Sequence, residues 1–193
     1  IVLCNISGAS SAGLKQFDVA IKYYKKALEI KPDYAEAYYN MGIALKDNGN
    51  LDAAIDSYKK ALEIKPDYVD AYFNTGNILM DKGDLEAAID SYKKALEIKP
   101  DYVEAYNNIG LTLKDKGDLE AAIDSYKKAL EIKPDYFEAK ENLISLLTSY
   151  IPQKDNLNLI VKVNEEIRKV KIKDNASNII SDDQIVSLLS RSE

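Results

Sequence analysis

The chain has 193 residues, 46% hydrophobic and 30% charged, with a formal charge of -6 from 32 acidic and 26 basic side chains. That is the composition of an ordered protein. Its basic residues are interleaved with acids throughout, which excludes the basic face that nucleic acid requires and a basic cluster at a membrane surface. No apolar run approaches the roughly 18 residues of a membrane-spanning helix. There is no histidine and one cysteine, Cys4. Imidazole acid-base chemistry, histidine metal sites, a Ser-His-Asp triad and any internal disulfide are thereby removed. The expectation is a cytoplasmic, non-catalytic protein without cofactor or metal.

Pro32, Pro66, Pro100 and Pro134 stand 34 residues apart, each within a copy of Ala-Leu-Glu-Ile-Lys-Pro-Asp-Tyr. A fixed period of that length with helical patterning marks an array of helix-turn-helix units, each burying its apolar face only against its neighbours. With Ala35 as position 1, residues 35–68, 69–102 and 103–136 are full units. Residues 1–34 form a weaker unit and 137–150 a partial one, so the array covers 1–150.

In the first unit the apolar opening lies in phase with the repeats and has no initiating Met, so it reads as the start of an excised fragment rather than a signal peptide. Gly8, Ser10, Ser11 and Gly13 weaken its helix A, which is expected to fray in its N-terminal half. The run from Gly8 to Lys15 is not a phosphate loop, because its Lys is one place late and no Ser or Thr follows.

In the full units Tyr38, Met41 and Leu45 recur on one face of helix A, while Gly42 and Ala54 are small where two helices approach closely. Gly49, Gly83 and Gly117 stop helix A, and Asn50, Asp84 and Asp118 are expected to cap helix B. Helix B ends before the proline. Asp33, Asp67, Asp101 and Asp135 are the expected caps of the next helix A, each with an acid three places on. Ser57, Ser91 and Ser125 each precede a Lys by three residues. The companions of that serine chemistry are missing, so they read as a copied surface helix.

The last copy starts at Phe137, has Ile144 where Gly is expected, and breaks at Pro152. Leu157, Ile160, Val161, Ile167 and Val170 then predict a divergent capping helix within 151–172. Residues 173–193 read as a linker and a short C-terminal helix opened by a capping box at Ser181–Gln184. Asn175-Ala176-Ser177 fits a glycosylation pattern that matters only in a secretory compartment.

Tyr38, Met41, Gly42, Leu45, Ala54, Tyr58, Ala61 and Pro66, with their copies in the next two units, resemble the tetratricopeptide repeat (TPR) family over about 140 residues. The resemblance implies an all-α, right-handed α-solenoid with a divergent C-terminal capping helix pair. It also implies a concave groove, lined by helix A, that holds an extended peptide.

Comparing the copies locates the variation. Helix B is nearly invariant, whereas helix A reads Tyr39-Asn40-Met41, Phe73-Asn74-Thr75 and Asn107-Asn108-Ile109. Position 6 alone keeps Asn: Asn40, Asn74, Asn108 and Asn142. An amide offers both a donor and an acceptor, which suits a peptide backbone. The ladder is similar to that of the O-GlcNAc transferase superhelix, as is the text from Lys31 to Gly42. Recent duplication would copy the Asn equally well.

Position 2 is acidic, Glu36, Asp70, Glu104 and Glu138, and a first-turn carboxylate is favoured by the helix dipole whether or not a ligand binds. Chaperone-binding members of the family carry Lys at position 2, so an acidic C-terminal tail is disfavoured as partner.

The expected peptide site therefore comprises Asn40, Asn74, Asn108, Asn142, Tyr39, Phe73, Asn107, Asn77, Glu36, Asp70 and Glu104. Three readings follow. The first is a non-catalytic scaffold for a protein or peptide partner. The second is the substrate-docking arm of a larger glycosyltransferase-like enzyme, and the third a structural or self-associating array.

Overall fold

The computed structural model describes residues 1–150; the expected capping helix at 151–172 and the segment 173–193 lie outside the described residues. Among these, the chain forms nine α-helices and no strand: α1 (Val2–Gly13), α2 (Phe17–Ile30), α3 (Ala35–Asp47), α4 (Leu51–Ile64), α5 (Val69–Asp81), α6 (Leu85–Ile98), α7 (Val103–Lys116), α8 (Leu119–Ile132) and α9 (Phe137–Tyr150). Each odd-numbered helix is the helix A of a unit and each even-numbered one its helix B. Every helix packs on the next in sequence, and α1 with α3, α5 with α7 and α7 with α9 also touch. No comparable contact joins successive B helices among the described residues. Helices A therefore form an inner layer and helices B an outer one.

The repeat core is a ring set on a glycine. Tyr58, Tyr92 and Tyr126 are 0% exposed and Tyr24 is 2% exposed. A Cβ on Gly8, Gly42, Gly76 or Gly110 would lie only 2.5 or 2.6 Å from the Cε1 of the paired tyrosine. Glycine is required there because the ring occupies the space of its side chain. A buried ring of this size contributes about 1.5–3 kcal/mol. Ala20, Ala54, Ala88 and Ala122, all 0% exposed, let helix B approach as the spacing predicted.

The helix ends follow the sequence in part. Gly49, Gly83 and Gly117 have φ of 81°, 79° and 87°, the left-handed geometry that glycine adopts at little cost. Lys31, Lys65, Lys99 and Lys133 end helix B with φ between -137° and -126°, as the following proline dictates.

The caps differ from expectation. The residues at the start of α3, α5 and α7 are Tyr34, Tyr68 and Tyr102, with no side-chain cap bond, so the preceding aspartates do not cap helix A there. Asn50 and Asp84 make no cap bond either, and Asp118 alone accepts from the Ala121 backbone N–H, at 3.4 Å. The prolines and glycines already set these boundaries without a capping side chain.

Helix α1 also differs: it is continuous from Val2 to Gly13, because Gly8 receives Tyr24 as its counterparts receive theirs. The fraying expected from Gly and Ser propensity is overridden by packing. Val2, Leu3, Ile6 and Leu14 are 59–79% exposed, while Ala37, Ala71, Ala105 and Ala139, which share the repeat position of Leu3, are 0% exposed beneath a preceding helix B.

Candidate functional site: the inner face of helices A

Position 6 lies on the inner layer in every unit from α3 onward, and Asn40, Asn74, Asn108 and Asn142 are half-buried there. Their amides are joined to the preceding helix A. The Nδ2 of Asn40 donates to Asn5 Oδ1 at 3.2 Å, that of Asn74 to the Tyr39 hydroxyl at 3.1 Å, that of Asn108 to Asn77 Oδ1 at 2.8 Å, and that of Asn142 to Asn107 Oδ1 at 2.9 Å. Three of the four acceptors stand at position 5 of the preceding unit. The exception has a chemical cause: position 5 is Phe73, which cannot accept, and Asn77 one turn further along α5 takes its place.

At the N-terminal end of the row the orientation is fixed by an acceptor-only partner. Asn5 donates through Nδ2 to Glu36 Oε1 at 3.2 Å and to the Tyr34 hydroxyl at 3.3 Å. A carboxylate accepts only, so Asn5 turns its Oδ1 to Asn40. At the other end a directional chain runs from Asn142 to Asn107 and from Asn107 Nδ2 to Asn108 Oδ1 at 3.3 Å. It continues from Asn108 to Asn77. Asn107 is 5% exposed and belongs to this chain rather than to the open surface. Asn77 also accepts from the Tyr92 hydroxyl at 2.8 Å.

The aromatic residues at position 5 form the wall beside the amides. The Tyr39 ring lies 5.8 Å from Tyr58 and 4.6 Å from Tyr68, and Phe73 lies 5.7 Å from Tyr92 and 4.8 Å from Tyr102. The Lys65 and Lys99 ammonium groups stand 4.8 and 4.7 Å from the centroids of Tyr68 and Tyr102, a cation-π arrangement. Glu36, Asp70, Glu104 and Glu138 are exposed. Their field reaches the phenols: burial, then Glu36, pushes the Tyr34 hydroxyl up, and burial, then Asp70, does so for Tyr39. Tyr102 is raised by burial and next by Asp70 and Glu104, and Tyr136 by burial and next by Glu138 and Glu104. The acids and the tyrosines thus share one surface.

The serines of the Ser-x-x-Lys pattern are engaged within their own helices. The Ser57, Ser91 and Ser125 hydroxyls each donate to a carbonyl one turn back in their own helix at 2.8 Å, and Ser57 is buried rather than on the surface. Among the described residues no group of three His, Cys, Asp or Glu is placed to hold a metal ion, and no helix is long and apolar enough to cross a membrane. The outer layer carries a second depression, an open groove of about 720 Å³ between α4 and α6, floored by Tyr72, Thr75 and Leu79.

A stack of paired helices with a continuous inner face is a protein-interaction scaffold. Profiles of the TPR repeat match residues 14–49 and 76–117, and tetratricopeptide repeat profiles match 35–68, 57–90 and 103–136. The chain therefore belongs to the tetratricopeptide repeat family. Among solved structures it is similar to a crystal structure of MamA at 26% identity, with 87% of this chain and 94% of that one covered and a TM-score of 0.71. A second crystal structure of MamA protein shares 25% identity over 92% and 97% of the two chains, with a TM-score of 0.74. MamA 41-end from Desulfovibrio magneticus RS-1, at 20% identity over 90% and 96% with a TM-score of 0.72, shares the fold. No curated protein compared with the chain matches it.

Proposed function

We propose that the chain is a non-catalytic scaffold that holds an extended polypeptide along the inner face of helices A. The observation that carries this is the row of four half-buried asparagines. Each has one N–H tied to the preceding unit, and for Asn40, Asn74 and Asn142 the side-chain carbonyl has no donor among the described residues. Backbone contact through the amides is independent of the partner's side chains, while Tyr39 and Phe73 modulate choice. Asn107 and Asn77 act behind them as supports. The matched MamA structures lend no support to a glycosyltransferase docking arm.

The test replaces Asn40, Asn74, Asn108 and Asn142 together by Ala and measures affinity for a peptide selected on this array. Four hydrogen bonds of about 0.5–1.5 kcal/mol each predict a loss of about 2–6 kcal/mol in binding, similar for peptides of different sequence. Because each amide also joins two helices A, the variant loses stability as well, so affinity is read at a temperature where circular dichroism shows it folded. Unchanged affinity in the folded variant would refute the reading.

A further inference from the structure

The seam between successive units carries a contact that recurs with the period. The residue at position 14, at the end of helix A, meets the acidic residue at position 18 of the preceding unit, in the first turn of helix B. In the later units this is an ion pair: Lys82 with Asp52, and Lys116 with Glu86 at 3.1 Å. At the first seam the same place holds Asn48, whose Nδ2 donates to Asp18 Oδ1 at 3.2 Å. One clasp is thus made by an amide where its copies use an ammonium group.

Asn48 is also the one asparagine of the sequence that precedes a glycine, Gly49. Its copies read Lys82-Gly83 and Lys116-Gly117, with no side-chain carbonyl to attack. Glycine has no Cβ to shield its backbone nitrogen, so that nitrogen can reach the side-chain carbonyl carbon of the residue before it. The fold opposes the reaction without removing it. Gly49 has φ 81°, and its N–H donates to Lys46 O at 2.9 Å while that of Asn50 donates to Leu45 O at 2.8 Å, the two bonds of a Schellman turn. The turn is exposed from Asp47 to Asn50, and exposed helix ends open locally far more readily than the core.

We infer that Asn48 is a site of spontaneous deamidation, and that its conversion turns the clasp between the first two units from attraction to repulsion. When the turn opens, the Gly49 nitrogen bonds to Asn48 Cγ and the Cγ–Nδ2 bond breaks, Nδ2 leaving as ammonia with the proton that the Gly49 nitrogen gives up. Water then adds to either carbonyl of the resulting imide ring and cleaves its bond to the Gly49 nitrogen. The product is Asp, or isoaspartate with the main chain running through Cβ. Either one sets a carboxylate against Asp18, and the neighbouring Lys46 is engaged with Asp47 at 3.5 Å. Isoaspartate also lengthens the main chain inside the turn. The bond from Asn40 to Asn5 crosses the same seam, so the first rung of the inner face shares the loss.

The experiment incubates the full chain at neutral pH, folded and in urea, and follows Asn48 and Asn50 in one proteolytic peptide by mass spectrometry. Asn48 is expected to convert to a mixture of Asp and isoaspartate while Asn50, which precedes Leu51, keeps its amide. Conversion should be slower in the folded chain than in urea. The charge reversal is read separately, by hydrogen exchange in α1 and α2. Asn48→Asp is expected to speed that exchange about two- to fivefold, the range of exposed charge pairs, with the effect fading at high salt. Asn48→Lys, which installs the clasp of the later units, leaves exchange unchanged or slower. In an Asp18→Lys background the sign reverses, and Asn48→Asp slows exchange.

Conversion of Asn48 no faster than that of Asn50, equal rates in the folded chain and in urea, or the same effect of Asn48→Asp in both backgrounds overturns the inference.

Discussion

Tyr58, Tyr92 and Tyr126 have the same place in three near-identical units, yet their hydroxyls do not share one fate. Tyr92 donates to Asn77 at 2.8 Å, whereas the Tyr58 and Tyr126 hydroxyls are buried without a partner, because position 9 is Ile43 and Leu111 in their units. A buried hydroxyl with no partner costs about 1–3 kcal/mol, while a satisfied one contributes about 0.5–1.5 kcal/mol. Tyr58→Phe and Tyr126→Phe are therefore expected to leave stability unchanged or raise it by about 1 kcal/mol. Tyr92→Phe is expected to lower it by about 1 kcal/mol. Urea denaturation midpoints for the three variants check this, and a uniform loss would contradict it. The tyrosines were legible as repeat positions from the period alone. The inequality among them was not, since it depends on which side chain one turn away in space can accept.

At the scale of the element, the helix boundaries were legible where backbone geometry sets them and illegible where a side chain was expected to. Proline and glycine act on φ and ψ directly, so their positions in the sequence are also the positions of the turns. Composition predicts the aspartates before helix A as caps, but the turn that follows Pro66 or Pro100 brings Tyr68 or Tyr102 to that place instead.

The period also exposes a strained turn. Lys15 stands where Gly49, Gly83 and Gly117 stand in later units, and it adopts the same left-handed conformation at φ 58°. A non-glycine residue there costs about 1–2 kcal/mol, partly offset by the greater chain entropy glycine loses on folding. Lys15→Gly is expected to stabilise the first unit by about 0.5–1 kcal/mol, read as slower hydrogen exchange in α1 and α2. Faster exchange there would show that Lys15 makes a contact worth more than its strain.

Across the whole molecule, stability is a sum over units and their interfaces, so a property repeated in each unit is multiplied. Burial, before any other cause, raises the Tyr58, Tyr92 and Tyr126 phenols well above the ordinary value near 10. A group whose folded pKa is raised contributes stability that is full below its unfolded pKa and declines as pH rises from there towards the folded value. The array is expected to be indifferent to these groups up to about pH 10. Above that it should lose about 1.4 kcal/mol per pH unit for each buried phenol, seen as a falling melting temperature in circular dichroism.

The order of helices was readable in the sequence from the 34-residue period, and the inner placement of helix A was implied by the resemblance to the tetratricopeptide family. The site was readable only as a row of asparagines. That their N–H groups bind the units to each other required the relative placement of successive helices.

The most direct test of the central claim is a ¹⁵N chemical-shift titration of the array with a peptide selected on it. The account predicts that the side-chain amide signals of Asn40, Asn74, Asn108 and Asn142 shift together, with the backbone of α3, α5, α7 and α9. Shifts confined instead to the outer groove around Tyr72, Thr75 and Leu79, with the four amides unmoved, would contradict it.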